Sequence, residues 1–404
     1  MSLFMVTTKT RRFAGISRNT VLLAFSSLFA DISSEMLYPI LPLFLTQTLH
    51  AGGTVVGLVQ GTAEAAQNVI QGLSGWLSDK LRKRKPLALV GYFVSAVGKP
   101  LMGLAHSWPG VWGGRSLDRL GAGFRSAPRD ALIASSVEDE YRGRAFGLEG
   151  LGDNLGAFLG PLLAVLLTVS FHFPVRWIFY TAIVPGLFAT LMILLVRERS
   201  LPVASKSKID AGLGQFPRPY WKYLLVVALF QLGNSSNSFL ILQTRSIGAS
   251  FETTILIYAG FNLVAALISY PAGIAADKWG RRNVLALAFV VFFIAYLGFA
   301  RTGNVLLIGV FFIFYGQFQG IFRSVGKAFA SDFVPGQLRA SAVGWYSTVV
   351  GLLGLVASVV AGQLWDRIGH SAVFYYGAVF ALLGGAGLVI AIPNKQGKET
   401  IRPE

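Results

Sequence analysis

The chain has 404 residues, of which 53 % are hydrophobic and 13 % charged, against roughly 25 % charged in soluble domains. Its 35 Lys and Arg against 19 Asp and Glu give a net charge of +16. The absence of Cys excludes disulfides, thiolate metal sites and thiol catalysis. Stretches such as 349–363 and 371–393 carry no charge. Apolar runs of about 20 residues are long enough to cross a bilayer core. There the backbone must bond to itself, as a helix or a closed barrel. The runs are continuous rather than alternating, so an all-α integral membrane protein is expected.

Twelve helical segments are predicted in chain order. The first, 20–46, follows a basic N-terminus. It is too long for a signal-peptide core and has no small-residue cleavage site, so no cleavable signal is expected. It aligns Ser27, Asp31, Ser34, Glu35 and Tyr38 on one stripe, and Pro39 and Pro42 should bend it. The second, 53–78, aligns Gln60, Glu64, Gln67 and Gln71. The third, 87–106, carries Lys99. The fourth, 109–134, places Arg115, Asp118, Arg119, Arg125, Arg129 and Asp130 in a sector of about 140°, with Leu117, Leu120 and Phe124 opposite. The fifth, 145–171, sets Glu149 and Asp153 one turn apart, and the sixth is 175–196.

A linker rich in Lys, Gly, Pro and Ser, 197–220, separates residues 1–196 from the second set of segments. These are 221–244 with Gln231, Asn234, Ser235 and Asn237; 252–276 with Asn262; 284–301; 304–330 with Gln317, Gln319, Arg323 and Lys327; 341–363; and 370–392. The predicted domains are therefore two six-helix bundles, 1–196 and 221–392, joined by the linker and followed by a tail, 393–404.

Charge sets the expected orientation. With the N-terminus inside, the cytoplasmic stretches hold 24 Lys and Arg, while external loops hold only Arg176, Arg245, Arg301 and Arg367. On this bias both termini, the linker and the tail are expected in the cytoplasm, and the membrane expected is the inner membrane. The bias accounts for the basic balance and leaves no part for nucleic acid as a partner.

The chain repeats itself at an offset of about 198 residues. Gly75-Trp-Leu-Ser-Asp79-Lys-Leu-Arg-Lys-Arg84 matches Gly273-Ile-Ala-Ala-Asp277-Lys-Trp-Gly-Arg281-Arg282, and Phe124-Arg125-Ser126 matches Phe322-Arg323-Ser324. Arg129 matches Lys327. Two parallel halves with a site between them at mid-membrane are a transporter design. The Gly-x-x-x-Asp-(Lys/Arg)-x-Gly-Arg-(Arg/Lys) loop resembles the signature loop of the major facilitator superfamily of secondary transporters. The copy from Gly273 to Arg282 fits in full, whereas the first has Arg82 in place of Gly. Arg115 followed by Gly121-Ala-Gly123 resembles that family's fourth-helix Arg motif, with Arg119 replacing a Gly. Gly156-x-x-x-Gly160-Pro161 resembles part of the fifth-helix motif of its proton-coupled antiporters, without the trailing glycines. The resemblance implies the twelve-helix fold, alternating access, and gating roles for Gly75, Asp79, Arg84, Gly273, Asp277, Arg281 and Arg282.

Charges inside a membrane cost about 2.5–3.5 kcal/mol each on insertion scales and mark function or pairing. Seven acids (Asp31, Glu35, Glu64, Asp118, Asp130, Glu149, Asp153) face seven bases (Lys99, Arg115, Arg119, Arg125, Arg129, Arg323, Lys327). Pairing between helices is the plainer reading for Arg119, Asp130, Glu149 and Asp153. Asp31, Glu35 and Glu64 are the proton-coupling candidates, because a carboxylate that exchanges its Arg partner changes its proton affinity. Arg125, Arg129, Arg323, Lys327, Arg115, Tyr38, Asn234 and Gln319 are the candidate substrate contacts. Guanidinium groups suit carboxylate and phosphate, so the expected solute is a small anion or zwitterion.

No Gly-x-x-x-x-Gly-Lys-(Ser/Thr) occurs, so no nucleotide-driven pump is expected. His50, His106, His172 and His370 lie at external segment ends and no His-Glu-x-x-His occurs, so neither an enzyme nor a metal site is expected. A channel has no use for matching gating loops in two repeats. The expected molecule is a monomer with the lipid bilayer and a small-molecule substrate as partners. It has no cofactor, and the proton gradient is its energy source. Export is favoured over proton-coupled uptake of an organic anion or metal chelate. A non-transporting receptor or sensor is the alternative of another class.

Overall fold

The computed structural model describes residues 17–81, 83–138, 141–198, 216–335 and 338–393, without the side chains of Trp76, Asp79 and Ala340. Arg82, the side chain of Asp79, and most of the 197–220 linker and the 393–404 tail lie outside the described residues.

The fold is all-helical. In chain order the helices are α1 (Arg18–Glu35), α2 (Ile40–Leu43), α3 (Gly53–Leu81), α4 (Lys85–Leu104), α5 (Trp108–Ser135), α6 (Arg142–Val169), α7 (Val175–Thr181) and α8 (Ile183–Leu195). They continue with α9 (Arg218–Gln231), α10 (Ser238–Ser246), α11 (Phe251–Trp279), α12 (Arg281–Arg301), α13 (Val305–Asp332), α14 (Arg339–Arg367) and α15 (His370–Ala391). Every one of the twelve predicted segments is occupied by helix. Among the described residues, nine helical spans are long and apolar enough to cross a membrane on length and composition alone. The span α5 is not one of them, because its stripe of six charges lowers its hydropathy.

Three segments expected to be continuous are interrupted. Segment one becomes α1, a turn at 36–39, α2 and a π-helical stretch at Phe44–Thr48. Pro39 and Pro42 lack the amides that an unbroken ladder needs there. Segment six breaks at Ala182, three residues before Pro185, and Ser33 Oγ donates to the Ala182 carbonyl. Segment seven opens between α9 and α10, so Asn234, Ser235 and Asn237 lie in a non-helical stretch rather than in a helix. Side chains take over its backbone bonding, as hydrocarbon requires. The Ser236 amide donates to Ser358 Oγ at 3.1 Å, and Gln231 Nε2 donates to the Asn234 carbonyl at 3.3 Å.

The chain separates into two compact units. One comprises residues 1–38 and 66–205, the other residues 39–65 and 206–404. In the first, α1 packs on α6 and α8, and α4 on α5 and α8. The α1–α6 contact is built on a glycine stripe. A Cβ on Gly152, Gly156 or Gly160 would stand 2.5, 2.6 and 2.8 Å from the carbonyl oxygens of Ala24, Leu28 and Ile32. Small residues at this spacing let membrane helices approach backbone to backbone. Gly156→Val should therefore cost about 1–3 kcal/mol by overpacking. Thermal melting of the purified protein checks this against Gly150→Val on the same helix, where a Cβ meets nothing within 4 Å. Equal melting of the two variants would contradict the packing role.

The second unit has an aromatic interior. Phe230 stacks on Phe289 at 4.1 Å and Phe292 on Tyr296 at 3.9 Å, with Phe318 and Phe322 completing the cluster. In this unit the first turn of α3 is capped by a side chain from α14. Asp366 accepts from the Gly53 amide at 2.7 Å, the Thr54 amide at 2.8 Å and Thr54 Oγ1 at 2.7 Å. Gln60 Nε2 donates to Ser238 Oγ at 2.9 Å in the same region.

Candidate functional site

The charges of the first unit sort into three layers along α5. Nearest its N-terminal end, Asp118 is 1 % exposed and is surrounded by three cations. Lys99 Nζ lies 3.1 Å away, Arg115 Nη1 3.1 Å and Arg119 Nε 3.3 Å, and Ser95 Oγ donates to it at 2.7 Å. Arg115 also stacks over the Tyr38 ring at 5.6 Å, and Arg119 donates to Gln67 Oε1 at 3.3 Å. A buried carboxylate in ion-pair contact with three cations joins α4 to α5.

The middle layer is Arg125. It is 7 % exposed and its guanidinium lies 4.2 Å from the centroid of the Tyr92 ring. Its Nε and Nη1 have no hydrogen-bond partner among the described residues. A buried guanidinium is weakly hydrated and stacks well on an aromatic face, which leaves its in-plane donors open. Asp31 of α1 lies within electrostatic reach of Arg125, Arg129, Glu35 and Asp153.

The third layer centres on Arg129. Its Nη2 lies 3.0 Å from Asp130, and its Nη1 lies 2.8 Å from Glu149 and 3.7 Å from Asp153. Ser27 Oγ accepts from Arg129 Nη1 at 3.0 Å and donates to Glu149 Oε1 at 2.9 Å. Arg129, a candidate substrate contact by sequence, is here the counter-ion of three acids. Gly156 brings α6 against α1 next to Asp31, so the Gly156, Gly160 and Pro161 motif serves as the packing seam that aligns these acids.

The remaining candidates are spread more widely. Glu35 ends α1 half-buried, and Glu64 lies half-buried in α3, in the part that belongs to the second unit. In that unit Arg323 and Lys327 are exposed on α13 and Gln319 is half-buried. Asn234 donates to Gln231 Oε1 at 3.2 Å, and its own Oδ1 is buried without a hydrogen-bond partner.

The loop motifs hold each unit together in the same way. Arg84 Nη1 donates to the Ala131 carbonyl at 3.0 Å, and Arg281 Nη1, one residue away from the position that the repeat pairs with Arg84, donates to the Ala328 carbonyl at 2.8 Å. Arg281 also pairs with Asp332 at 2.6 Å and with Asp277 at 3.9 Å, while Arg282 donates to the Val389 carbonyl at 2.6 Å. Gly280 adopts a φ of 86°, which explains Gly at that loop position; Gly75 and Gly273 are helical. Among the described residues, no group of His, Asp and Glu could hold a metal ion.

Tyr92 and Ser95 were not singled out by sequence. Both face α5 from α4, but an isolated Tyr or Ser in an apolar segment gives no signal until its neighbour across the contact is known.

A family model described as Major Facilitator Superfamily matches residues 23–243 and 223–403. An uncharacterised MFS-type transporter of Methanocaldococcus jannaschii is 36 % identical over 376 residues, covering 92 % of this chain and 94 % of the relative. The fosmidomycin resistance protein of Escherichia coli is 24 % identical, with 97 % and 96 % covered. Among solved structures, a nucleoside transporter superposes with a TM-score of 0.76 at 15 % identity, covering 93 % of this chain and all of that one.

Proposed function

Starting from the fact that this chain belongs to the Major Facilitator Superfamily and is a multi-pass membrane transporter, we propose that it moves a small anionic or zwitterionic solute by proton-coupled alternating access, in the direction of export. The observation that supports the anionic group is Arg125. A guanidinium held dry against Tyr92 with two nitrogens unpartnered is costly unless an acid or a ligand compensates it. Arg323, its equivalent in the repeat, makes no ion pair among the described residues, and helices α9 to α15 offer it no acid away from their ends. Asp31, beside Arg125, is the coupling candidate best placed to respond to a bound anion.

Export is supported by the name of the fosmidomycin resistance relative and by the partial antiporter motif at Gly156, Gly160 and Pro161. The glycines missing from that motif favour the second reading, uptake of an organic anion or chelate. The proposed location is the inner membrane with both termini cytoplasmic, on the Lys and Arg distribution.

The test is a melting screen of the purified protein against anionic, zwitterionic and cationic solutes. A solute at 100 times its Kd stabilises by about 2.7 kcal/mol. Stabilisation by an anion or zwitterion is expected, and stabilisation by cations alone would refute the proposal. A hit that produces no flux in proteoliposomes would point to a receptor instead.

A further inference from the structure

Sequence places the coupling proton on α1 or α3. The packing of α6 against α1 and α5 points to a different set of groups. We propose that Glu149 and Asp153 of α6, sharing the Arg129 guanidinium with Asp130, take up and release the proton that drives transport. The proposal rests on the proton-coupled reading above and names the site for it.

The case begins with a mismatch of charge. Arg129 lies within 4 Å of three carboxylates. Asp31 of α1, within electrostatic reach of Asp153, brings a fourth. The cations that face this group are Arg129 and, through Asp31, Arg125; the remaining titratable neighbours are Glu35 of α1 and Tyr92 of α4. Four acids against two guanidinium groups leave an excess of negative charge in a low-dielectric layer. Like charges sharing a site do not all ionise, and the protons then belong to the group rather than to one residue.

Geometry supplies the rest. Glu149 is fixed on one side by Ser27 Oγ and on the other by Arg129, and its side chain is 9 % exposed. Asp130 and Asp153 are 43 % and 38 % exposed. The cluster therefore runs from partly exposed acids to an enclosed one, all sharing one guanidinium. Near it stands Arg125, nine-tenths buried and with Nε and Nη1 lacking a hydrogen-bond partner among the described residues, the group assigned to the solute. A proton arriving from water through Asp130 or Asp153 can settle on Glu149 with no other change of charge. The glycine stripe gives this site a fixed register, because Gly152 and Gly156 flank Asp153 in sequence and seat on α1.

Infrared difference spectroscopy on the full-length protein in lipid, stepped from alkaline to acid pH with no solute present, reads this directly. The wild type should show the carbonyl stretch of a buried protonated carboxyl group. Glu149→Gln should lose most of that band, Asp153→Asn should shift its midpoint, and Glu138→Gln, at an exposed position, should leave both unchanged. If Glu149→Gln fails to fold, the half-exposed Asp153 still gives the answer through its Asn variant. A band that is absent from wild type, or unchanged in the Glu149 and Asp153 variants, overturns the proposal. Because no solute is added, failure here leaves the anion-binding reading standing. Failure of the melting screen likewise leaves this result untouched.

Discussion

Asp118→Asn should destabilise the protein by about 3–5 kcal/mol, the range for removing one partner of a buried ion pair. The carboxylate is 1 % exposed, accepts from Ser95 and Arg115, and is the shared ion-pair partner of Lys99, Arg115 and Arg119. An amide of the same shape keeps the Ser95 bond but leaves three cations in one dry pocket. Helices α4 and α5 meet at this point, so the loss falls on a contact within the first unit rather than on a loop. Melting of the purified variant in detergent measures it. Lys99→Met combined with Asp118→Asn should recover part of the loss, because it removes one of the stranded cations. The deviation from additivity gives the coupling between the two. An Asp118→Asn variant that melts like wild type would show that the three cations find compensation elsewhere.

Arg125→Gln should weaken binding of the solute found in the melting screen by about 2–5 kcal/mol, the cost of truncating a buried hydrogen-bonded charge pair. Arg125→Lys should restore only part of it, since Lys keeps the charge but loses the planar fork and the stacking on Tyr92. Arg323→Gln is expected to act in the same direction. It should do so without loss of stability, because Arg323 is exposed and makes no ion pair among the described residues. Isothermal titration of the three variants separates these outcomes. Unchanged affinity in Arg125→Gln would remove the anionic reading.

Much of this architecture is legible in the residue order. Twelve apolar segments, the two copies of the loop motif and the polar stripe on α5 follow from composition and periodicity. Arg84 and Arg281, each bonded to a carbonyl 47 residues further on, carry the repeat into the structure with a one-residue slip from the 198-residue offset. What sequence leaves open is which of several like residues pairs with which. Arg125 and Arg129 are the same residue one turn apart on one stripe. They differ because Asp130 and the α6 acids Glu149 and Asp153 pair with the second, whereas α4 presents Tyr92 to the first. The interruptions at 36–39 and 232–237 differ in how far sequence shows them. Proline suggests the first, but the second depends on Ser358 and Gln231 side chains that replace backbone partners. The cap that Asp366 places on α3 joins residues 313 apart in the chain, a distance over which periodicity carries no information.

That cap also has a consequence in time. Residues 39–65 are made early but belong to the unit completed by α10 and α14. Chains grow at roughly 5–20 residues per second, so the 313 residues separating Gly53 from Asp366 correspond to about 15–60 s of synthesis. Throughout that interval the first amides of α3 lack the Asp366 carboxylate that caps them in the finished molecule. The segment 39–65 is therefore where a lipid-side holding factor, or a pause of the ribosome, would have the greatest effect on the yield of folded protein.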